Sequence, residues 1–198
     1  MTDPTPLDAL LARVRRCRIC EPGLVDGVRP VLQAHRSARL VIAGQAPGAR
    51  VHASGRPFTD PSGDRLRHWL GLDEAEFYDR SRVAIVPMAF CFPGYDAKGA
   101  DLPPPPICSQ TWHGQVMEAL DDIRLTVLVG GAAQRWHLDR AATVTRTVAA
   151  WRDHAPQVFP LPHPSWRNTA WLKSNPWFEA DLVPVLRARV QEVMTSDD

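Results

Sequence analysis

Four short apolar runs, each closed by glycine or proline, constrain this chain more than any other feature. Arg39-Leu40-Val41-Ile42-Ala43 ends at Gly44 and Val83-Ala84-Ile85-Val86 at Pro87. Leu125-Thr126-Val127-Leu128-Val129 ends at Gly130-Gly131, and Val158-Phe159-Pro160-Leu161 at Pro162-His163-Pro164. Runs of this length without alternating polar residues read as strands buried on both faces, as in parallel sheets. Helical segments are expected between and before them. Thr5 can cap the first, with Pro6 in its first turn and Leu7, Leu10, Leu11 and Val14 as its apolar stripe. Ser62 can cap another through Leu66, Trp69 and Leu70, and Asp73 with Glu76 opens a short one. Further helices are expected over about 110–121, 131–138 and 142–151. Strands alternating with helices predict a three-layer α/β/α sandwich around a central, mostly parallel four-stranded sheet.

The 198 residues suit one domain of ordinary size, expected over 1–198. Apolar residues at 44% and charged residues at 23% exclude disorder over most of the length. A net charge of +1 excludes a histone-like polycation and leaves room for a local basic patch. Nineteen prolines, roughly twice the usual share, mean that much of the chain is structured loop. No apolar run reaches the roughly 18–20 residues that cross a bilayer. Met1-Thr2-Asp3-Pro4 lacks a basic-then-apolar signal pattern, so the expectation is a soluble cytoplasmic protein with no membrane contact. Nothing in the sequence points to a protein partner.

In that compartment four cysteines are not expected to form structural disulfides. Cys17 and Cys20 form a C-x2-C pair, and Cys91 and Cys108 follow much later. A C-x2-C turn puts two sulfurs on one centre, and a second pair completes a thiolate set. Spacing alone does not choose between zinc and an iron–sulfur cluster. The prolines of Pro103–Pro106 stiffen the loop before Cys108. Arg13, Arg15, Arg16 and Arg18 beside the first pair read either as a solvated helix face or as phosphate contacts.

In parallel sheets, sites form in the loops beyond the strands' carboxyl ends. Three of those loops carry unusual chemistry: Gly44–Gly48, Pro87–Cys91 and His163–Asn168. Gly44-Gln45-Ala46-Pro47-Gly48 is neither a P-loop nor a dinucleotide fingerprint. It is followed in order by Gly55-Arg56-Pro57-Phe58, Ser62-Gly63-Asp64 and His163-Pro164-Ser165-x-x-Asn168. This series resembles the uracil-DNA glycosylase superfamily. With a C-x2-C before the first strand and a distant pair after the second, it is most similar to the iron–sulfur branches, usually called families four and five. The resemblance runs from about residue 7 to residue 190.

The resemblance implies a DNA glycosylase that hydrolyses the N-glycosidic bond of uracil or another deaminated base, with a 4Fe–4S cluster on Cys17, Cys20, Cys91 and Cys108. Its partner is DNA containing a damaged or deaminated base. Such an enzyme takes its base out of the stack and stabilises the charge that builds on it as the bond breaks. By resemblance, His163 donates to the base oxygen and Phe58 stacks on the flipped base. Gly44, Gln45, Ala46, Pro47 and Gly48 hold the attacking water and shape the pocket floor, and Asn168 joins the base-binding set. The chain departs from its relatives at three places. Gln45 and Ala46 leave the first loop without a carboxylate, and Asp60 is the candidate replacement. Pro87 stands where relatives place an asparagine that reads the uracil edge. Trp166-Arg167 replaces smaller residues and suits a wedge that fills the gap left by a flipped base, and Ser165 beside them is expected among the DNA contacts.

Each side chain also has a plainer use. His163 can cap a loop, Phe58 can be core, Asp60 can be a turn residue and Asn168 can brace its loop. Two further functional readings follow: a DNA-binding member of the fold without catalysis, and hydrolysis of a free nucleoside.

Overall fold

The structure, a computed structural model, describes residues 5–138 and 142–195; the Met1-Thr2-Asp3-Pro4 start lies outside the described residues. Helix α1 (Pro6–Arg15) opens the fold with a reciprocal cap between Thr5 and Asp8, and buries Leu7, Leu10, Leu11 and Val14. Then come β1 (Leu40–Ala43), α2 (Ala49–Ser54), α3 (Pro61–Leu70), α4 (Glu74–Tyr78) and β2 (Val83–Ile85). Next, α5 (Pro106–Cys108), a π-helical segment Ser109–His113 and α6 (Gly114–Glu118) run on from one another. β3 (Leu125–Val129), α7 (Gly131–Leu138), α8 (Val144–Ala149) and β4 (Val158–Leu161) follow. The chain closes with α9 (Thr169–Ser174), a π-helical segment Phe178–Leu182 and α10 (Val183–Thr195).

The four strands form a parallel sheet in the order β2-β1-β3-β4, with Ile42 level with Ile85 on one side and Val127 on the other. Successive side chains point to opposite faces, and both faces are covered. Leu40 and Ile42 join Leu66, Trp69 and Leu70 of α3 and Leu186, Val190 and Val193 of α10. Val41 joins Leu7, Leu11 and Val14 of α1 together with Trp112 and Val116. The expected three-layer α/β/α sandwich is what forms. From β1 the chain moves to β2 on one side, then returns across to β3 on the other. The loops leaving β1 and β3 therefore diverge, and such a switch point opens a crevice at the sheet's carboxyl edge.

Some element boundaries differ from expectation. Asp60, not Ser62, caps α3: Asp60 Oδ1 accepts from the Gly63 N–H at 3.3 Å, and Ser62 donates its hydroxyl to Asp60 Oδ2 at 2.7 Å. Pro61 is the reason, because a proline at the first helical position makes the preceding residue the cap. The segment from Gly44 to Pro61 contains α2, closed by Gly55 at φ 72°. The helix expected over 110–121 starts earlier, at Pro106, and α8 is shorter than expected, capped by Thr143. The C-terminal helices were not expected at all, although α10 contributes Val183, Leu186, Val190, Val193 and Met194 to the core. No helix of the described residues is long and apolar enough to cross a membrane.

Candidate functional site

At the carboxyl edge of the sheet lies a pocket of about 540 Å³, open mouth included. It gathers Gly44, Gln45, Ala46, Pro47 and Gly48 from the loop after β1, Phe58 and Asp60 from the approach to α3, Pro87 from the end of β2, and His163 from the end of β4. The first loop is pinned to the second: the Met88 and Ala89 N–H groups donate to the Gly44 and Gln45 carbonyls at 2.9 and 3.1 Å. One wall residue, Asp101, was not singled out in the sequence, where it shows only as an acid ahead of a proline run.

Phe58 is the aromatic wall. Among the described residues it is the one non-glycine with positive φ, at 52°. Two glycines make that place possible. A Cβ on Gly63 would stand 1.8 Å from the Phe58 carbonyl oxygen, and one on Gly44 would stand 3.4 Å from Phe58 Cζ. Tyr78 donates its hydroxyl to the Pro57 and Phe58 carbonyls at 2.7 and 3.0 Å, and Phe77 meets the Phe58 ring edge-on at 6.2 Å. The half-buried ring is thus held from its backbone and its edge, with part of its surface on the pocket.

His163 stands on the same pocket, and its hydrogen bonding fixes its tautomer. The Ser165 N–H donates to His163 Nδ1 at 3.2 Å. Nδ1 is therefore the acceptor, and the neutral ring carries its proton on Nε2. Burial pulls the pKa of His163 below the ordinary histidine range; the charges of Asp60 and Asp101 pull the other way and lose. Gly130, at φ 84°, lies beneath the ring, where a Cβ would come within 3.6 Å of His163 Cβ and 3.7 Å of Cδ2.

The remaining residues singled out in the sequence surround His163 without lining the pocket. Asn168 Nδ2 donates to the His163 carbonyl at 2.7 Å and braces the loop. Ser165 Oγ accepts from the Arg167 N–H at 3.3 Å, and the Ser165 carbonyl accepts from Arg65 at 3.2 Å. Trp166 is 74% exposed, and the Arg167 guanidinium lies 5.7 Å from its ring centroid. Asp60, on the pocket, has both carboxylate oxygens engaged in the cap of α3.

Residues 32–187 match the family model of the Uracil DNA glycosylase superfamily. The chain belongs to that superfamily. Its members are in general hydrolases that release bases from DNA, and the match takes in all four strands, Phe58 and His163. It begins after Cys17 and Cys20, so the family match does not reach the first cysteine pair.

Two further features of this superfamily member lie outside the pocket. Pro87, a wall residue, has its carbonyl taken by His113 Nδ1–H at 3.1 Å. His113 Nε2 lies 2.9 Å from His137 Nε2. With Nδ1 donating, His113 Nε2 accepts, so His137 Nε2–H is the donor. Burial, together with the neighbouring His137, pushes the His113 pKa down to about 4, and burial also lowers that of His137.

The second feature is an apolar cavity of about 410 Å³, open mouth included, lined by Cys17, Cys20, Cys91 and Cys108 with Val14, Phe90 and Trp112. All four cysteines are free. Trp112 Nε1–H points at Cys17 Sγ from 3.3 Å, and the Phe90 N–H at Cys108 Sγ from 3.4 Å. Burial raises the Cys20 and Cys91 thiols and pushes Cys108 up to about 12. In this apolar setting these thiols stay protonated at neutral pH. Among the described residues, no three His, Cys, Asp or Glu side chains stand close enough to hold one metal ion. Arg13, Arg15, Arg16 and Arg18 are exposed beside the cavity; Arg13 lies over Trp112 at 5.4 Å, and Arg18 pairs with Glu21 at 3.7 Å.

Proposed function

We propose that this superfamily member is a monofunctional DNA glycosylase that hydrolyses the N-glycosidic bond of uracil or another deaminated base in DNA. The observation that carries the reading is the Ser165 N–H on His163 Nδ1, which leaves a neutral ring with an Nε2–H donor in a pocket walled by Phe58. As the C1′–N bond breaks, the electron pair leaves with the base and negative charge grows on its carbonyl oxygens. A donor fixed beforehand strengthens as that charge grows, so it lowers the barrier more than it tightens ground-state binding. A neutral imidazole suits the task, because it stabilises the leaving base by hydrogen bonding without first surrendering a proton. Phe58 offers a face on which any flipped base can stack. Trp166 and Arg167, exposed at the same end of the fold, are suited to enter the duplex and to meet a phosphate.

The same reading assigns Cys17, Cys20, Cys91 and Cys108 to a 4Fe–4S cluster. Four cysteine sulfurs around one cavity are the donor type that both zinc and iron–sulfur clusters take, and the resemblance of the C-x2-C and the distant pair to the iron–sulfur branches is what favours the cluster. Bound there, the cluster would tie α1 to the segment between Cys91 and Cys108, and it would take no redox part in a hydrolysis.

The test is base release from single- and double-stranded oligonucleotides carrying uracil, hypoxanthine or xanthine, with His163→Ala beside the wild type. Release that His163→Ala lowers by 10²-fold or more, as for loss of an oxyanion donor, supports the reading. No release from any substrate with DNA binding retained refutes it and leaves a DNA-binding protein on this fold. Pro87, which has no polar side chain for reading a base, is the observation that favours that second reading.

A further inference from the structure

We infer that Asp101 is the carboxylate that holds and deprotonates the attacking water, delivered to the pocket by the segment between Cys91 and Cys108. This inference rests on the glycosylase reading above. Hydrolysis needs a group that orients water and takes its proton, and the first loop offers only the carboxamide of Gln45, which accepts hydrogen bonds but is no base at neutral pH.

Two carboxylates line the pocket, Asp60 and Asp101. Asp60 is engaged: Oδ1 accepts from the Gly63 N–H at 3.3 Å and Oδ2 from the Ser62 hydroxyl at 2.7 Å. The Asp101 carboxylate makes no hydrogen bond or ion pair among the described residues. Its Oδ2 stands over Gly48, where a Cβ would come within 4.0 Å of it. It is close enough to His163 for its charge to act on that ring. The carboxylate and the base-oxygen donor therefore share one pocket, as an attack on C1′ with departure of the base requires.

Its position is set by a short ordered turn. Tyr95 and Asp101 pair antiparallel, and the Leu102 N–H donates to the Gly94 carbonyl at 2.9 Å. Asp96 Oδ1 accepts from the Lys98 and Ala100 N–H groups at 2.8 and 2.9 Å, and the Tyr95 ring packs on Phe92 at 5.0 Å. Cys91 and Cys108 stand at either end of this segment, so whatever joins those sulfurs also holds Asp101 over Gly48. In the step itself, the water oxygen bonds to C1′ and its proton passes to the Asp101 carboxylate. The C1′–N bond breaks, and its electron pair leaves on the base beside His163 Nε2–H.

Single-turnover base release and DNA affinity of the full chain test this, with Asp101→Asn and Asp60→Asn beside the wild type. Asparagine caps a helix as well as aspartate does, so Asp60→Asn keeps α3 intact. The expected result is a fall in rate of 10²-fold or more for Asp101→Asn, with DNA affinity and melting temperature kept, and a smaller fall for Asp60→Asn. Base release by Asp101→Asn at the wild-type rate overturns the assignment and leaves the glycosylase reading standing. A larger loss for Asp60→Asn overturns it too, and gives the water to Asp60. No release by the wild type refutes both.

Discussion

Gly63→Ala separates a positioning contact from helix propensity, because the two predict opposite signs. Gly63 lies in the first turn of α3, where alanine should stabilise by about 0.5–1 kcal/mol. A Cβ there would stand 1.8 Å from the Phe58 carbonyl oxygen, 2.7 Å from its carbon and 3.0 Å from Phe58 Cβ. The first two of these atoms are backbone, held at φ 52° with the carbonyl bonded to Tyr78 at 3.0 Å, so they cannot swing aside. Overpacking of this kind costs about 3 kcal/mol at the upper end of its range, which leaves a net loss of about 2 kcal/mol. For a domain of this size that is a fall of about 4–8 °C in Tm. Phe58 must also shift away from Gly63 by more than an ångström, and a displacement of that order can cost about 10²-fold in rate. Gly114→Ala is the control: it is helical, with nothing within 4 Å of its built Cβ, and should gain about 0.5–1 kcal/mol. Thermal melts and single-turnover base release decide the matter. If Gly63→Ala melts as high as Gly114→Ala and releases base at the wild-type rate, Phe58 is not held by this contact and the reasoning fails.

Three other perturbations have expected outcomes. His113 is held neutral in the fold, with its pKa lowered from 6.5 to about 4, so the unfolded chain binds the extra proton between those values. Stability should be full above about pH 6.5 and fall as pH drops towards 4, by up to about 3 kcal/mol; urea midpoints at pH 7 and 4.5 measure it, and His113→Gln with an unchanged slope would contradict the assignment. Trp166→Ala, at an exposed position, should leave stability within about 0.5 kcal/mol and weaken binding and base release on duplex DNA; unaltered duplex kinetics would remove its wedge role. Under the cluster reading, Cys17→Ser should lower the melting temperature and the visible absorbance of the cluster before it changes the rate of the bond-breaking step, whereas unchanged stability with the absorbance lost would show that no structural tie is made there.

The sheet was legible because its signal is local and redundant: β3 and β4 fall where their apolar runs lie, and Thr5 and the Asp73–Glu76 pair cap the helices they were expected to cap. Ser62 misled because a serine is an equally good cap, and only the weight given to Pro61 separates it from Asp60. Helix α9 was missed because Trp171, Pro176 and Trp177 interrupt the polar–apolar rhythm and its placement is decided by packing on Phe178, whereas α10 was legible, its Val183, Leu186, Val190 and Val193 following the helical stripe. In the pocket, residues in ordered motifs were visible, whereas Asp101 was not. It lies in a turn with no local motif, and its nearness to Gly48 is a product of the fold. Likewise, no spacing in the sequence predicts that His113 and His137, 24 residues apart, meet behind Pro87.

Pro87 gives the site its chemical character. It has no N–H, its side chain has no donor or acceptor, and its carbonyl is already bonded to His113. The side chain at this position cannot read a base edge, and its carbonyl already accepts one hydrogen bond. The π-helical segment Ser109–His113 contributes to this, since the extra residue in its turn ends on the histidine that takes the carbonyl. Under the glycosylase reading, the groups left to recognise a base are a flat ring, which stacks on any base, the His163 donor, which suits any base carbonyl, and the polar side chains of the wall, the Gln45 carboxamide first among them. Uracil, hypoxanthine and xanthine all present a ring and a carbonyl. Discrimination among them then falls to the Gln45 carboxamide, to the fit of the ring between Phe58 and the first loop, and to how readily each base leaves with its electron pair. Under the glycosylase reading, Pro87→Asn should therefore narrow the enzyme towards one base by adding an edge contact, at no cost to the His163 and Phe58 machinery on which release depends.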